Sequence, residues 1–357
     1  MADVSFFRYS KDKNILDGLE NLFMNSLADV VSKGDSVAVK LHMGELGNLT
    51  YIRPAYVRKV VELVKKVGGK PFVTDTTSLY TKKRFTSKGY LEAAAYNGFT
   101  KETVGAPIII ADKDGYNGSE FLVDKKVGEC GFRSIKIASG LLKADSIIIV
   151  THAKGHLLTG FGGSLKNIGM GFVTKEGKAA QHSANRPILD ESKCNECNLC
   201  IEECVFKAMS IQNGKPVMDL EKCMSCSHCM FECPNKAWKW PDNSKEKLQS
   251  YLAHAVYGIL NGLKSKIGYL NFIQDVTPLC DCCTPSGNAL IQDIGILASL
   301  DPVAIDKASI DLIDKEMPGP FWQRDKIGKY NKTSSLIHLS IAERLGVGSL
   351  NYNLIEE

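Results

Sequence analysis

Two cysteine runs share one spacing: Cys194, Cys197, Cys200, Cys204, then Cys223, Cys226, Cys229, Cys233 followed by Pro234. Each reads C-x2-C-x2-C-x3-C, the spacing that suits [4Fe–4S] clusters. Three thiolates two residues apart can wrap one face of an iron–sulfide cube, and the fourth points away toward a second cube. That rule assigns Cys194, Cys197, Cys200 and Cys233 to one cluster and Cys223, Cys226, Cys229 and Cys204 to the other. Structural zinc is the competing reading, but zinc needs four ligands and rarely the third close cysteine of such a run. Val205 follows Cys204 where the second run has Pro234, a small departure from the pattern.

Four more polar sets could do chemistry: Lys40 and His42 with Glu45; Asp75 and Thr76; Thr151, His152 and His156; and Cys280, Cys282 and Cys283. Each follows a run that reads as a strand, and ligands of open α/β sheets bind beyond the carboxyl ends of the strands. The four sets are therefore expected to converge. His152, at the exit of the most apolar strand, is the expected acid/base or ligand, with Lys40 and His42 as substrate contacts. His182, His254 and His338 read as structural.

The segment Gly160-Phe-Gly-Gly-Ser-Leu-Lys-Asn-Ile-Gly169 matches neither the dinucleotide fingerprint nor the P-loop. Its glycines still let backbone N–H groups approach an anion, and a helix starting near Ser164 would offer its positive end. Gly160, Gly162, Gly163, Ser164 and Asn167 are the expected cofactor contacts, and Lys166 the expected anion clamp. A tight packing turn would use the same glycines. Cys280-Asp-Cys282-Cys283 reads as a third metal or cluster site, with Cys130, His42 or His152 to complete it; a redox dithiol or inert thiols are the alternatives.

The elements that must position these groups follow from periodicity. Val4–Tyr9, Ser36–Met43, Pro71–Thr74, Pro107–Ala111, Asp145–Val150, Ile267–Val276 and Ile294–Leu297 read as strands. Ile15–Val31, Pro54–Val67, Ser87–Phe99, Lys245–Leu263, Pro302–Lys315 and a closing Ser334–Leu345 read as helices. Residues 112–135 read as loops and a hairpin. The alternation implies an α/β fold with a mostly parallel sheet and flanking helices. A small α+β ferredoxin-like unit, 191–242, interrupts it, splitting the parent domain into 1–190 and 243–357.

The chain has 357 residues, 44% of them hydrophobic and 24% charged, as in ordinary globular proteins. No apolar run approaches the ~20 residues of a membrane span, and MADVSFFRYS is no secretory leader. Eight thiolates reserved for clusters need reduced cysteines, so a cytoplasm, that of an anaerobe, is expected. The formal charge is +4, but each oxidised cluster with four thiolates adds about −2, which brings the loaded chain near zero. No clustered basic footprint suggests nucleic acid. Residues 193–242 carry six lysines against seven carboxylates, a balance that suits a unit serving its own chain.

Val37-Ala-Val-Lys40, the Thr-His/Lys-Gly-His run at 151–156, Lys166-Asn167-Ile-Gly169 and Ser299-Leu-Asp301-Pro-Val-Ala-Ile-Asp306 together resemble the "domain of unknown function 362" family. The resemblance implies an α/β fold carrying an inserted two-cluster ferredoxin module, in cytosolic proteins mostly of anaerobic bacteria and archaea, and supplies no reaction. His152 with Gly160–Lys166 is also distantly similar to the histidine and glycine-glycine-x-lysine motif of the lactate racemase family. The expected function is an oxidoreductase in which two clusters feed a site at the strand ends, through a third metal or a flavin. It would have a redox partner protein and a small anionic substrate. A non-catalytic carrier and a metal or cluster maturation factor are the alternatives.

Overall fold

The computed structural model describes residues 1–320 and 322–357. Eight strands form the main sheet: β1 (Ala2–Arg8), β2 (Ser36–Lys40), β3 (Lys70–Asp75), β4 (Ile108–Ile110), β5 (Ser146–His152), β6 (Lys266–Ile273), β7 (Gly295–Ser299) and β8 (Tyr352–Glu356). Their order is β8-β1-β7-β6-β5-β2-β3-β4. Only β7 runs antiparallel to its neighbours β1 and β6; the remaining pairs are parallel. The mostly parallel α/β sheet expected from the sequence is present. The helix expected to close the chain is followed instead by β8, which pairs with β1.

Alternation along the strands builds two cores. Val37, Val39, Ile148 and Val150 face a layer made by α1 (Ile15–Ser26), α2 (Pro54–Lys66) and α3 (Ser87–Tyr96). Ala38, Ile147 and Ile149 face α4 (Ser164–Gly171), α6 (Ser244–Gly262), α7 (Pro302–Glu316) and α8 (Ile337–Leu345). The short α5 (Lys175–His182) follows α4. In α2 the apolar positions Val57, Val60, Val61 and Val64 recur at three and four residues, behind Pro54 at the first turn, where its missing N–H costs nothing. Among the described residues, no helix is long and apolar enough to cross a membrane.

Residues 188–239 add no strand to this sheet. They form two two-stranded ribbons of their own, Ile188–Leu189 with Trp238–Lys239 and Met209–Gln212 with Lys215–Met218. The first ribbon brings both ends of the segment together. Its small core is built on Cys200, Met209 and Trp238, with Cys204, Cys229 and Cys233 against them.

Candidate functional site

The strand-end sets do converge. Past β2, Glu45 donates its backbone N–H to Asp281 O at 2.9 Å, and Asn48 Nδ2 donates to Cys283 O at 3.0 Å. At the end of β5, His152 Nδ1 lies 2.8 Å from Asp281 Oδ1 and Nε2 lies 2.8 Å from Gln274 O. Lys154 Nζ sits 3.3 Å from Asp281 Oδ2. Burial alone would raise the Asp281 carboxyl, but His152, Lys154 and His42 around it hold it well below the usual carboxylate range. The cysteine loop is thus stitched to two strand ends.

This geometry changes the role expected of His152. A carboxylate oxygen and a carbonyl oxygen face the two ring nitrogens, so the ring is held by the protein at both ends and neither nitrogen is turned to a substrate or a metal. His152 is a positioning residue. Lys40 is likewise engaged: its buried Nζ pairs with Asp75 Oδ1 at 3.0 Å, and donates to the side chain of Asn167 and, at 3.2 Å, to its backbone O. Tyr90 closes the set through Asp75 Oδ2. Asn167 Nδ2 spans Val150 O at 3.1 Å and Thr151 Oγ1 at 2.9 Å, so its amide locks α4 to β5 while the residue also lines the cavity at the strand ends.

The glycine-rich turn is also differently employed. The helix does start at Ser164, but its first free N–H groups, Ser164 N at 2.6 Å and Leu165 N at 2.9 Å, both donate to the Asp306 carboxylate. The positive end that was expected to seat an anion is already capped from within. A Cβ on Gly163 would lie 2.2 Å from Asp306 Oδ1, which explains that glycine. Gly160, with φ +71°, packs against backbone at Gly328 and Ser335 and does not line the site.

Two histidines and a lysine remain open. His42 Nδ1 accepts from Gly44 N at 3.0 Å, which leaves the proton on Nε2, a buried atom with no partner. His156 Nδ1 accepts from Thr159 N at 3.1 Å and Leu158 N at 3.3 Å, which fixes the same tautomer. Burial, with help from Lys154 and Lys166, keeps both rings well below the usual imidazole range and so neutral. Lys166 forms no hydrogen bond or ion pair among the described residues; burial first, then Lys154, lowers it to about 7.

These groups share a cavity of about 560 Å³. Lys40, His42, His152, His156 and Lys166 line its polar wall, as do Gly162 and Gly163. Sequence reasoning missed Tyr80, Arg84, Lys154, Lys178 and Asp281, and it placed His182 in structure although that ring also faces the cavity. Asp281 stands between two cysteines whose metal and redox chemistry is the stronger local signal, and Tyr80 and Arg84 lie in a segment with no regular period. The opposite wall comes from the cysteine-rich segment through Cys226, His228, Phe231, Glu232 and Trp240. Tyr80 sits between the two walls: burial, then Cys283 and Cys226, raise its hydroxyl to about 12.

The sulfurs of Cys280, Cys282 and Cys283 all lie within 4.8 Å of one another, close enough to ligate one ion. Cys280 and Cys282 are joined as a disulfide and Cys283 is a free thiol. None of the three expected completing ligands is available: His152 has no free nitrogen, His42 presents a proton, and Cys130 lies outside the cavity with its thiol on Phe132 O at 3.2 Å.

The eight remaining cysteines divide between two small cavities. Cys194, Cys197, Cys200 and Cys233 line one; Cys204, Cys223, Cys226 and Cys229 line the other. Left-handed residues recur at equivalent places in the two runs: Glu196, Asn198 and Lys207 in the first, Ser225, Ser227 and Lys236 in the second. Backbone N–H groups of Ala208, Ser225 and Ala237 approach Cys204, Cys223 and Cys233 sulfurs at 3.3–3.4 Å.

By sequence, no curated protein matches the chain. The fold is similar to the lactate racemase apoprotein of Thermoanaerobacterium thermosaccharolyticum, at 11% identity and TM-score 0.39, over 77% of this chain and 51% of that one. It is similar too to a Thermotoga maritima protein solved in structural genomics, at 11% identity and TM-score 0.46, over 85% of this chain and 58% of that one. The chain thus spans little more than half the length of either. The family model described as "Domain of unknown function (DUF362)" matches residues 37–311, and the chain belongs to that family.

Proposed function

We propose that the chain is an iron–sulfur oxidoreductase in which residues 191–242 form a ferredoxin-like insertion that serves a site at the strand ends of the α/β domain. Cys194, Cys197, Cys200 and Cys233 would hold one [4Fe–4S] cluster, and Cys223, Cys226, Cys229 and Cys204 the other. The fit is supported by the two four-cysteine cavities, by their repeated left-handed turns and by N–H groups aimed at sulfur, which favour thiolates. When bound, such clusters supply electrons one at a time.

The observation that carries this reading is the shared cavity. Cys226, a ligand of the second set, lines it from one side, the Cys280–Cys283 loop lines it from the other, and Tyr80 lies between. The chain's own residues then have separable tasks. His152 and Asp281 hold the loop in place, the apolar part of the wall excludes water, and Cys280, Cys282 and Cys283 would hold a third metal once the Cys280–Cys282 disulfide is reduced to two thiols. The Cys280–Cys282 pairing favours a second reading of the same loop as a dithiol: the disulfide takes up two electrons and two protons to give two thiols. In either case an external redox partner protein loads the inserted unit.

Iron, acid-labile sulfide, metal and flavin analysis of anaerobically purified protein tests the reading. Eight irons are expected, with one further metal bound or, for the dithiol, two thiols regained on reduction. A preparation reconstituted with iron and sulfide that holds fewer than four irons would refute it.

A further inference from the structure

The cavity has donors without acceptors. Of its cations, Lys40 pairs with Asp75, Arg84 with Glu45 and Lys154 with Asp281. Lys178 Nζ is spent on Thr76 Oγ1 at 2.7 Å and Val173 O at 2.6 Å. Lys166, half-buried, has no partner among the described residues, and neither has Lys82, which lies exposed at the cavity. His42 and His156 line the same cavity as Lys154 and Lys166; His42 carries a buried Nε2–H that meets no acceptor among the described residues, and His156, whose Nδ1 accepts, keeps its proton on Nε2. A lysine amine with no protein partner and a buried N–H on His42 that meets no acceptor fit a small anionic head, since a buried donor left unmade is costly.

An apolar patch also lines the cavity, beside His228 and Glu232. Leu158, Met170, Leu248 and Trp240 belong to one packed cluster and line the cavity, and Phe231 meets Trp240 edge-on with ring centroids 6.2 Å apart. A bare inorganic anion would leave this wall and most of the volume unused. We infer that the cavity binds an organic carboxylate with an aromatic or aliphatic body, its head held by Lys166, His42 and His156 and its body laid against the Trp240 wall. The head's donors all belong to the α/β part of the chain, so the inference goes beyond the redox reading and stands if no cluster is found.

Calorimetric titration of the anaerobically purified full chain with phenylacetate, and with the neutral phenylacetamide, tests it. Phenylacetate is expected to bind, and the amide to bind at least tenfold more weakly, the difference of one charge-assisted hydrogen bond. Lys166→Met should lose roughly tenfold or more in phenylacetate affinity and nothing in amide affinity, Lys166→Arg should retain most of it, and Lys11→Met on the outer surface should not change it. Each variant's visible spectrum and melting point show that it is folded. No phenylacetate binding at millimolar concentration, equal binding of the amide, or an unaltered Lys166→Met would overturn the inference. Phenylacetate binding by a preparation that takes up fewer than four irons on reconstitution would remove the redox reading and leave this one in place.

Discussion

His152 Nδ1 lies 2.8 Å from Asp281 Oδ1, and this buried contact fastens the cysteine loop to the end of the central strand β5. Breaking such a pair leaves the surviving charge in low dielectric, which costs more than the pair itself contributes. Asp281→Asn should therefore destabilise the chain by about 3 kcal/mol or more, seen as a lower melting point. Alkylation of Cys283 should also become faster as the loop loosens. A variant with an unaltered melting point and unaltered Cys283 reactivity would show that the loop is held by its backbone bonds alone.

The crossing of cysteines between the two runs makes a separate prediction. Because Cys233 shares a cavity with Cys194, Cys197 and Cys200, Cys233→Ser and Cys200→Ser should perturb the same cluster signal in electron paramagnetic resonance. Cys204→Ser should instead match Cys226→Ser. If Cys204→Ser groups with Cys200→Ser, each run holds its own cluster and the assignment is wrong.

Acid should unfold the protein through histidines buried without a counter-charge. His338 is fully buried, shares Nδ1 with Gln249 Oε1 at 2.9 Å and has no partner for Nε2; burial lowers it from 6.5 to about 3. Its folded value lies below its unfolded one, so between the two the unfolded chain binds the proton more tightly. The stability present above about pH 6.5 is lost as the pH falls toward 3. By pH 5 the loss from this one residue is about 2 kcal/mol. The melting point of His338→Gln should fall less between pH 7 and pH 5 than that of the unsubstituted chain, and parallel slopes would assign the acid sensitivity elsewhere.

Much of this arrangement was legible because period and spacing are local. Val57, Val60, Val61 and Val64 gave α2, the unbroken apolar run at 146–150 gave β5, and strand ends gave the place of convergence. Side-chain roles were less legible because they depend on partners far along the chain. Nothing around His152 announces Asp281, 129 residues later, or Gln274 O, which together use up its ring. Nothing at Ser164 announces Asp306, 142 residues away, which fills the helix start. β8 escaped notice because Tyr-Asn-Leu-Ile-Glu is a half-exposed edge strand with little apolar signal.

Asp306 offers the last test, because it separates holding the site from acting in it. It lies in the Asp301–Asp306 stretch of family resemblance, and both acids act as caps: Asp301 accepts from Val303 N and Ala304 N at 2.8 and 2.9 Å, starting α7, while Asp306 reaches from α7 to the start of α4. Asn271 Nδ2 also donates to Asp306 at 2.9 Å. Asp306→Ala would strand three buried donors and cost about 2 kcal/mol or more. Since α4 carries Lys166 and Asn167, the same change should weaken phenylacetate binding, while the iron proposed for the cysteine cavities, which Asp306 does not line, should be retained. Iron loss in step with the lost affinity would mean that α4 supports the inserted segment as well as the cavity, and that the two halves of the site do not fold independently.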